Sequence, residues 1–372
     1  MYVRLLSRFC WLLVGIVFIF SGLIKLNDPV GTAIKLEEYF EVFAADFGSF
    51  FLRFKGFSRT LSITLSAGEV ILGTSLLLRY QLNWVLRLLL AMTIFFGFLT
   101  FYSAYFNKVT DCGCFGDAIK LTPWTSFVKD MVLLAAILVL LRSHQRWLKP
   151  FSRRPLIGTV LVTSVAGIAV GIGVWALGHL PIFDLLPYRR GNDIGKLMKP
   201  EEPARYVYTF VKDGQEVRSE TWLNDPPYKY KAMEVLNPET SKPRITDFRV
   251  WNDQGDYTQQ LLKGNKLILI IQGLDKLDRD RMPQIAELMQ QAARSPRHIE
   301  PVILTAAPQR DFDIFRHEKH LAAPYYFADA TVLKTMIRSN PGMMLLQNGR
   351  VLAKWHYHDL PSLRGVEKVL EK

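Results

Sequence analysis

Cysteine is scarce in this sequence: three residues in 372, two of them within the stretch DCGCFGD, Asp111 to Asp117. Acidic residues are missing from three segments rich in arginine and lysine. These are the N-terminus with Arg4 and Arg8, the turn from Arg79 to Arg87, and the connection holding Arg142, Arg146, Lys149, Arg153 and Arg154. Each adjoins a long apolar run. The net charge of +12 therefore follows the positive-inside rule and requires no nucleic acid. No Ala-x-Ala-type site follows the first apolar run, which argues against a cleaved signal peptide and for an uncleaved first helix. Apolar residues dominate as far as about Leu180, and charged residues are common after it. A membrane half followed by a water-soluble half is the expected organisation.

The apolar runs lie near Phe9–Ile24, Leu61–Leu78, Leu88–Phe106, Trp124–Leu141 and Leu156–Leu180. Each approaches the roughly 20 residues a helix needs to cross a bilayer. The basic segments then predict a cytoplasmic N-terminus, with Lys25–Thr60, Asn107–Pro123 and everything after the fifth helix outside. Ala33–Phe47 mixes charged and apolar residues at helical spacing and is expected to lie along the outer surface. Thr163, Gly167 and Gly171 recur every four residues on the fifth helix, where small side chains admit a close neighbour. Packing within the bundle is the expected use, and a homodimer through the fifth helix is the alternative.

Four ionisable residues fall within or at the ends of the spans: Lys25, Glu69, Lys129 and Asp130. At 1.5 Å per residue, Glu69 lies roughly 12 Å below the outer end of its helix, and Lys129 and Asp130 roughly 8–9 Å below theirs. Unpaired charge at that depth costs several kcal/mol, on the order of the translocon-scale penalties. A Glu69–Lys129 ion pair is therefore expected. It serves either to orient the bundle or to line a polar pocket that moves protons or binds a head group.

Cys112 and Cys114 are thus placed outside, where disulfides form and persist. Gly113 lets the backbone fold tightly enough to bridge them. Closing so short a ring constrains little of the unfolded chain, so it is a poor staple, and strained exposed disulfides are the labile ones. A redox pair accounts for this best. Packing in a glycine-rich turn is one alternative. A metal site is another, weakened because no histidine lies in an outside loop of the membrane half. Cys10, at the cytoplasmic end of the first helix, is expected to pack.

FSGLIKLNDPVGTA, SAGEVILG, and CGCFG followed by Trp124, Lys129 and Asp130 resemble the DoxX/MauE group of small membrane proteins over about residues 5–145. The resemblance implies a four-helix membrane domain. It also implies thiol chemistry with a thioredoxin-like partner in methylamine utilisation, or quinone-linked chemistry as in DoxD-like relatives. The fifth helix and the long C-terminal region depart from that short pattern and weaken a methylamine role.

In the soluble half, Pro181, Pro187 and Gly191 mark a linker, and Tyr206–Arg218 predicts a hairpin turning at Asp213-Gly214. From Ile245 the order is an opening hairpin, the strand KLILIIQ, a helix over Asp280–Ala293 and the strand EPVILTA. YYFAD, TVLKTMIR, Asn340-Pro341-Gly342, a hairpin at Asn348-Gly349 and a helix from Ser362 follow. Over about residues 245–372 this order resembles a thioredoxin-like α/β domain of the peroxiredoxin and TlpA type, with Pro341 where that family carries its cis proline. The family's Cys-x-x-Cys is replaced by LDKLDRDRMP, so the domain is redox-inert. His317, His320, His356 and His358 are expected as surface histidines. A metal site is the alternative, with His356 and His358 on one face of a strand.

The expected chain is therefore multi-domain. A DoxX/MauE-like helical bundle spans 1–145. A cytoplasmic connection, fifth helix and linker occupy 146–187, and a periplasmic connecting segment occupies 188–244. A thioredoxin-like α/β domain spans 245–372. The expected setting is the bacterial inner membrane. The expected function is extracytoplasmic thiol–disulfide or quinone-linked electron transfer. Cys112 and Cys114 form its redox pair, Glu69, Lys129 and Asp130 tune it or relay protons, and a periplasmic thioredoxin-like protein or redox client is its partner. The alternative is a non-catalytic membrane scaffold whose soluble domain binds a periplasmic partner.

Overall fold

The computed structural model describes residues 2–109, 113, 116, 118–119, 121–147 and 155–371, without the side chains of 145–147 and 155. The chain divides into two compact units, Met1–Leu185 and Leu186–Lys372.

The first unit is helical: α1 (Tyr2–Asn27), α2 (Pro29–Phe47), a 3₁₀ segment (Ser49–Phe57), α3 (Ser58–Leu77), α4 (Leu82–Phe106), α5 (Pro123–Trp147) and α6 (Pro155–Gly178). Among the described residues, five segments are long and apolar enough to cross a membrane, and they match the five apolar runs. The side chains are distributed inside out for a water-soluble protein. Phe9, Ile16 and Phe20 on α1 and Ile94, Phe98 and Phe101 on α4 are exposed, whereas Ser62, Ser66, Glu69, Thr93, Thr100 and Asp130 are buried. Apolar flanks around a polar interior suit a lipid solvent, and the chain is a multi-pass membrane protein.

Glycines set the close crossing of α1 and α3. A Cβ on Gly22 of α1 would lie 2.6 Å from the Ser66 carbonyl oxygen of α3, and one on Gly73 would lie 2.9 Å from the Gly15 carbonyl oxygen. No larger residue fits either position without parting the helices. Helix α2 starts where Asp28 caps it, accepting a hydrogen bond from the Gly31 N–H at 2.8 Å ahead of Pro29. Its Tyr39 and Phe43 bury against Leu99 and Tyr102 of α4. Helix α6 departs from expectation. It packs through Gly158 on Tyr80 and through Gly173 on Leu26 and Ile63, while Gly167 and Gly171 meet nothing within 4 Å. Their small side chains are not used inside the bundle, because the crossing takes the opposite face of the helix. Cys10 is buried among Val14, Phe18 and Leu86, as expected of a packing residue.

The second unit is α/β. A three-stranded antiparallel sheet has the order β2–β1–β3, from β1 (Tyr206–Lys212), β2 (Gln215–Ser219) and β3 (Lys229–Val235). Asp213 and Gly214 take positive φ, 53° and 79°, as a tight hairpin turn requires. Strand β3 was not legible in the sequence: six of its seven residues are exposed, so it carries no buried alternation.

A seven-stranded sheet follows. It contains β4 (Val250–Asn252), β5 (Gly255–Asp256), β6 (Asn265–Ile271), β7 (Ile299–Thr305), β8 (Tyr325–Ala328), β9 (Gly342–Gln347) and β10 (Arg350–His356). The order is β10–β9–β6–β7–β8–β4–β5, with β6, β7 and β8 parallel and β9 and β10 antiparallel. Residues 267–271 of β6 are buried on both faces, which is why the strand reads as an unbroken apolar run. The helices are α7 (Ile194–Leu197), α8 (Thr258–Leu261), α9 (Met282–Ala293), α10 (Gln309–Glu318), α11 (Ala330–Met336) and α12 (Leu363–Leu370). Helix α9 buries Met282, Ile285, Ala286 and Met289, one helical stripe, against the sheet. The segment around Asn192 closes the β10 edge: Gly191 N–H donates to the Val351 carbonyl at 2.7 Å, and Val351 N–H to the Asn192 carbonyl at 2.8 Å.

Candidate functional site

The buried charges of the first unit pair differently from expectation. Lys25 Nζ lies 2.5 Å from Glu69 Oε1, with side chains only 8% and 2% exposed. The ion pair of Glu69 is therefore with Lys25, not Lys129. Gly22 explains the choice. Its missing Cβ lets α3 come so close that a Cβ there would sit 3.0 Å from the Glu69 Cβ. Lys25 lies one turn further along α1, and helical side chains lean back toward the N-terminus, so its ammonium returns to the level of Glu69. Lys129 instead bonds its own neighbour, Nζ to Asp130 Oδ1 at 2.6 Å, and Thr100 donates to Asp130 Oδ2 at 3.0 Å. Sequence neighbours do not face each other on a helix, but the long flexible stem of lysine lets its ammonium curl across.

Two cavities flank the Lys25–Glu69 pair. The outer one, about 50 Å³, is lined by Lys25, Lys35, Tyr39, Ser66, Phe96 and Gly113, among others. The inner one, about 20 Å³, includes Lys25, Glu69, Thr93, Phe96, Lys129 and Asp130 in its wall. Lys25 and Phe96 belong to both, and the ammonium stands 4.6 Å from the Phe96 ring centroid. Glu69 Oε2, Ser66 Oγ and Thr93 Oγ1 are buried with no hydrogen-bond partner among the described residues. Polar atoms from α1, α3, α4 and α5 thus converge around the two cavities. The sequence marks Lys25 as a charge at the end of a span but not as Glu69's partner, and it does not single out Ser66, Thr93 and Thr100, since serine and threonine in a membrane helix carry no signal of the face they occupy.

Cys112 and Cys114 lie outside the described residues, as do Asp111 and Asp117. Their neighbours Gly113 and Gly116 are described. Both have positive φ, 62° and 51°, and the Gly116 N–H donates to the Gly113 carbonyl at 3.0 Å. This is a tight turn of the kind glycine permits. A Cβ on Gly113 would meet Lys35 Cγ at 3.3 Å, and one on Gly116 would meet Ile24 Cγ2 at 3.4 Å. Gly116 therefore sits over the end of α1 and Gly113 against α2, and Gly113 lines the outer cavity. At the C-terminal end of α2, Asp46 accepts hydrogen bonds from Lys108 and from the Tyr102 hydroxyl. The Lys108 bond, then the Tyr102 bond, hold the Asp46 carboxyl below the usual carboxylate range.

In the second unit, the loop after β6 is tied to the Asn340–Pro341 cis peptide. Gln272 Nε2 donates to the Ile337 carbonyl at 2.7 Å and the Ser339 carbonyl at 3.1 Å, and Asn340 Nδ2 donates to the Gly273 carbonyl at 2.9 Å. No cysteine occurs in this unit. The histidines are scattered over separate elements. His317 lies on α10 and His320 just beyond it. Strand β10 ends at buried His356, and His358 lies in the following 3₁₀ turn, so the two do not share a strand face. The His358 N–H donates to His356 Nδ1 at 3.2 Å.

No curated protein matches the chain. Residues 3–143, just over a third of it, match the family described as methylamine utilisation protein MauE, a span holding α1 to α5, both cavities and the Cys-Gly-Cys stretch.

Proposed function

We propose that this chain is a membrane thiol–disulfide exchange protein whose working pair is Cys112 and Cys114, on the extracytoplasmic side of a bacterial inner membrane. The observation that carries this is the position of Gly113. The residue between the two cysteines lines a cavity with Lys25 and packs against Lys35. Cations beside a thiol favour the thiolate, the form that attacks a disulfide. The family match of the first unit and its five apolar helices support a redox-associated role in a membrane. The three acid-free basic segments support a cytoplasmic N-terminus and put the cysteine turn outside. Lys129 and Asp130 act from below as a second charged pair that tunes the site.

A quinone fits this site poorly. Cavities of about 50 and 20 Å³ are far below the roughly 300–1,000 Å³ of ligand pockets. The order of the second unit, with β6, α9 and β7 followed by the antiparallel β9–β10 pair and α12, supports a thioredoxin-like domain. Without cysteine it holds a periplasmic client rather than exchanging electrons with it.

Cys112→Ser and Cys114→Ser are each expected to abolish function, and one of them to trap a client in a mixed disulfide through the remaining thiol. If the double serine variant complements a deletion fully, the redox reading fails and a non-catalytic scaffold takes its place.

A further inference from the structure

Thiol–disulfide exchange must move protons as well as electrons. One thiol of the chain gives up its proton, and the thiolate attacks a sulfur of the client's disulfide. A mixed S–S bond forms as the client's S–S bond breaks, and the departing client thiolate takes up a proton. The second thiol of the chain then closes Cys112–Cys114 and expels the client's other sulfur, so two electrons and two protons have passed to the client. A group that accepts a proton and returns it speeds both halves.

The titratable groups around the cavities can be compared by what already occupies them. On α2, Lys35 bonds Glu38 at 3.1 Å and the Tyr39 hydroxyl bonds Ser103 at 2.7 Å. On α5, Asp130 has both oxygens engaged, by Lys129 and Thr100. On α3, Glu69 has one oxygen held by Lys25 and the other, Oε2, buried and unbonded. Among the described residues, Glu69 Oε2 is the buried carboxylate oxygen at these cavities that has no hydrogen-bond partner. The inner cavity beside it has room for one water, with Thr93 Oγ1 as a second unbonded partner. Lys25 continues from that cavity into the outer one, which reaches Gly113.

Building on the redox reading above, we infer that Lys25 and Glu69 form a proton relay for the cysteine pair. Glu69 Oε2 is the acceptor, and the Lys25 ammonium is the link between the two cavities.

The test uses the full chain, reduced, in lipid nanodiscs, with two small disulfides. An aromatic disulfide whose leaving thiol is acidic departs without a proton. Bis(2-hydroxyethyl) disulfide has a basic leaving thiolate that needs one. The ratio of the two rates cancels effects on thiolate formation or access. Glu69→Gln is expected to lower the ratio of the second rate to the first roughly 10²-fold, and Glu69→Asp to restore most of it. Should Glu69→Gln fail to fold with Lys25 stranded, the neutral Lys25→Gln/Glu69→Gln variant carries the same expectation. An unchanged ratio, including a fall in both rates together, overturns the relay. If the wild type reacts with neither disulfide faster than the Cys112→Ser/Cys114→Ser control, the redox reading itself is overturned, and the relay with it.

Discussion

Removing one member of the Lys25–Glu69 pair is the perturbation with the largest expected effect on the membrane unit. At 2.5 Å, an effective dielectric of about 20 gives a gross attraction of roughly 6–7 kcal/mol, partly offset by desolvation of two groups almost shut off from solvent. Lys25→Met strands a carboxylate that is 2% exposed, and Glu69→Gln strands the ammonium. Each single variant is expected to lose about 3–5 kcal/mol. The double variant strands nothing and should lose well under the sum, with a coupling at the upper end of the roughly 0.5–3 kcal/mol seen for contacting residues. Lys129→Met is the internal control. Lys129 is 22% exposed, and Asp130 keeps its Thr100 hydrogen bond, so the loss should be no more than about 1.5–3 kcal/mol. Unfolding in mixed micelles, followed by the helical far-UV signal, gives all four corners of the cycle. Additive losses for Lys25 and Glu69, or a larger loss for Lys129→Met than for Lys25→Met, would refute the assignment of the pair.

Glycine variants test the crossing that creates the site. Gly22→Ala drives a Cβ to 2.6 Å from the Ser66 carbonyl oxygen and should cost about 1–3 kcal/mol, whereas Gly167→Ala, which meets nothing within 4 Å, should cost nothing measurable in the same unfolding experiment. Topology is checked with single cysteine probes in a cysteine-free background in intact spheroplasts. A probe at exposed Lys276 should react with a membrane-impermeant thiol reagent, and one at exposed Gln81 should not. The reverse pattern would put the Cys-Gly-Cys turn on the cytoplasmic side.

The sequence by itself determined features whose cause is local. Each span announces itself because roughly 20 apolar residues are needed wherever a helix meets lipid. Asp213-Gly214 and Asn348-Gly349 announce hairpins because both turn positions need positive φ, and all four residues have it. The unbroken apolar run of β6 and the stripe on α9 are legible for the same reason: burial on a strand or helix follows a short period along the chain. Partners across the bundle obey no such period. Lys25 lies 44 residues from Glu69, and only the glycine-lined approach of α1 to α3 brings them together. Depth along the membrane normal, all that spacing supplies, points to Lys129 rather than Lys25, and it gives no sign of which face of α6 packs. Those choices belong to the tertiary structure, because helix rotation and crossing are set by side chains distant in sequence that must fill one shared interior.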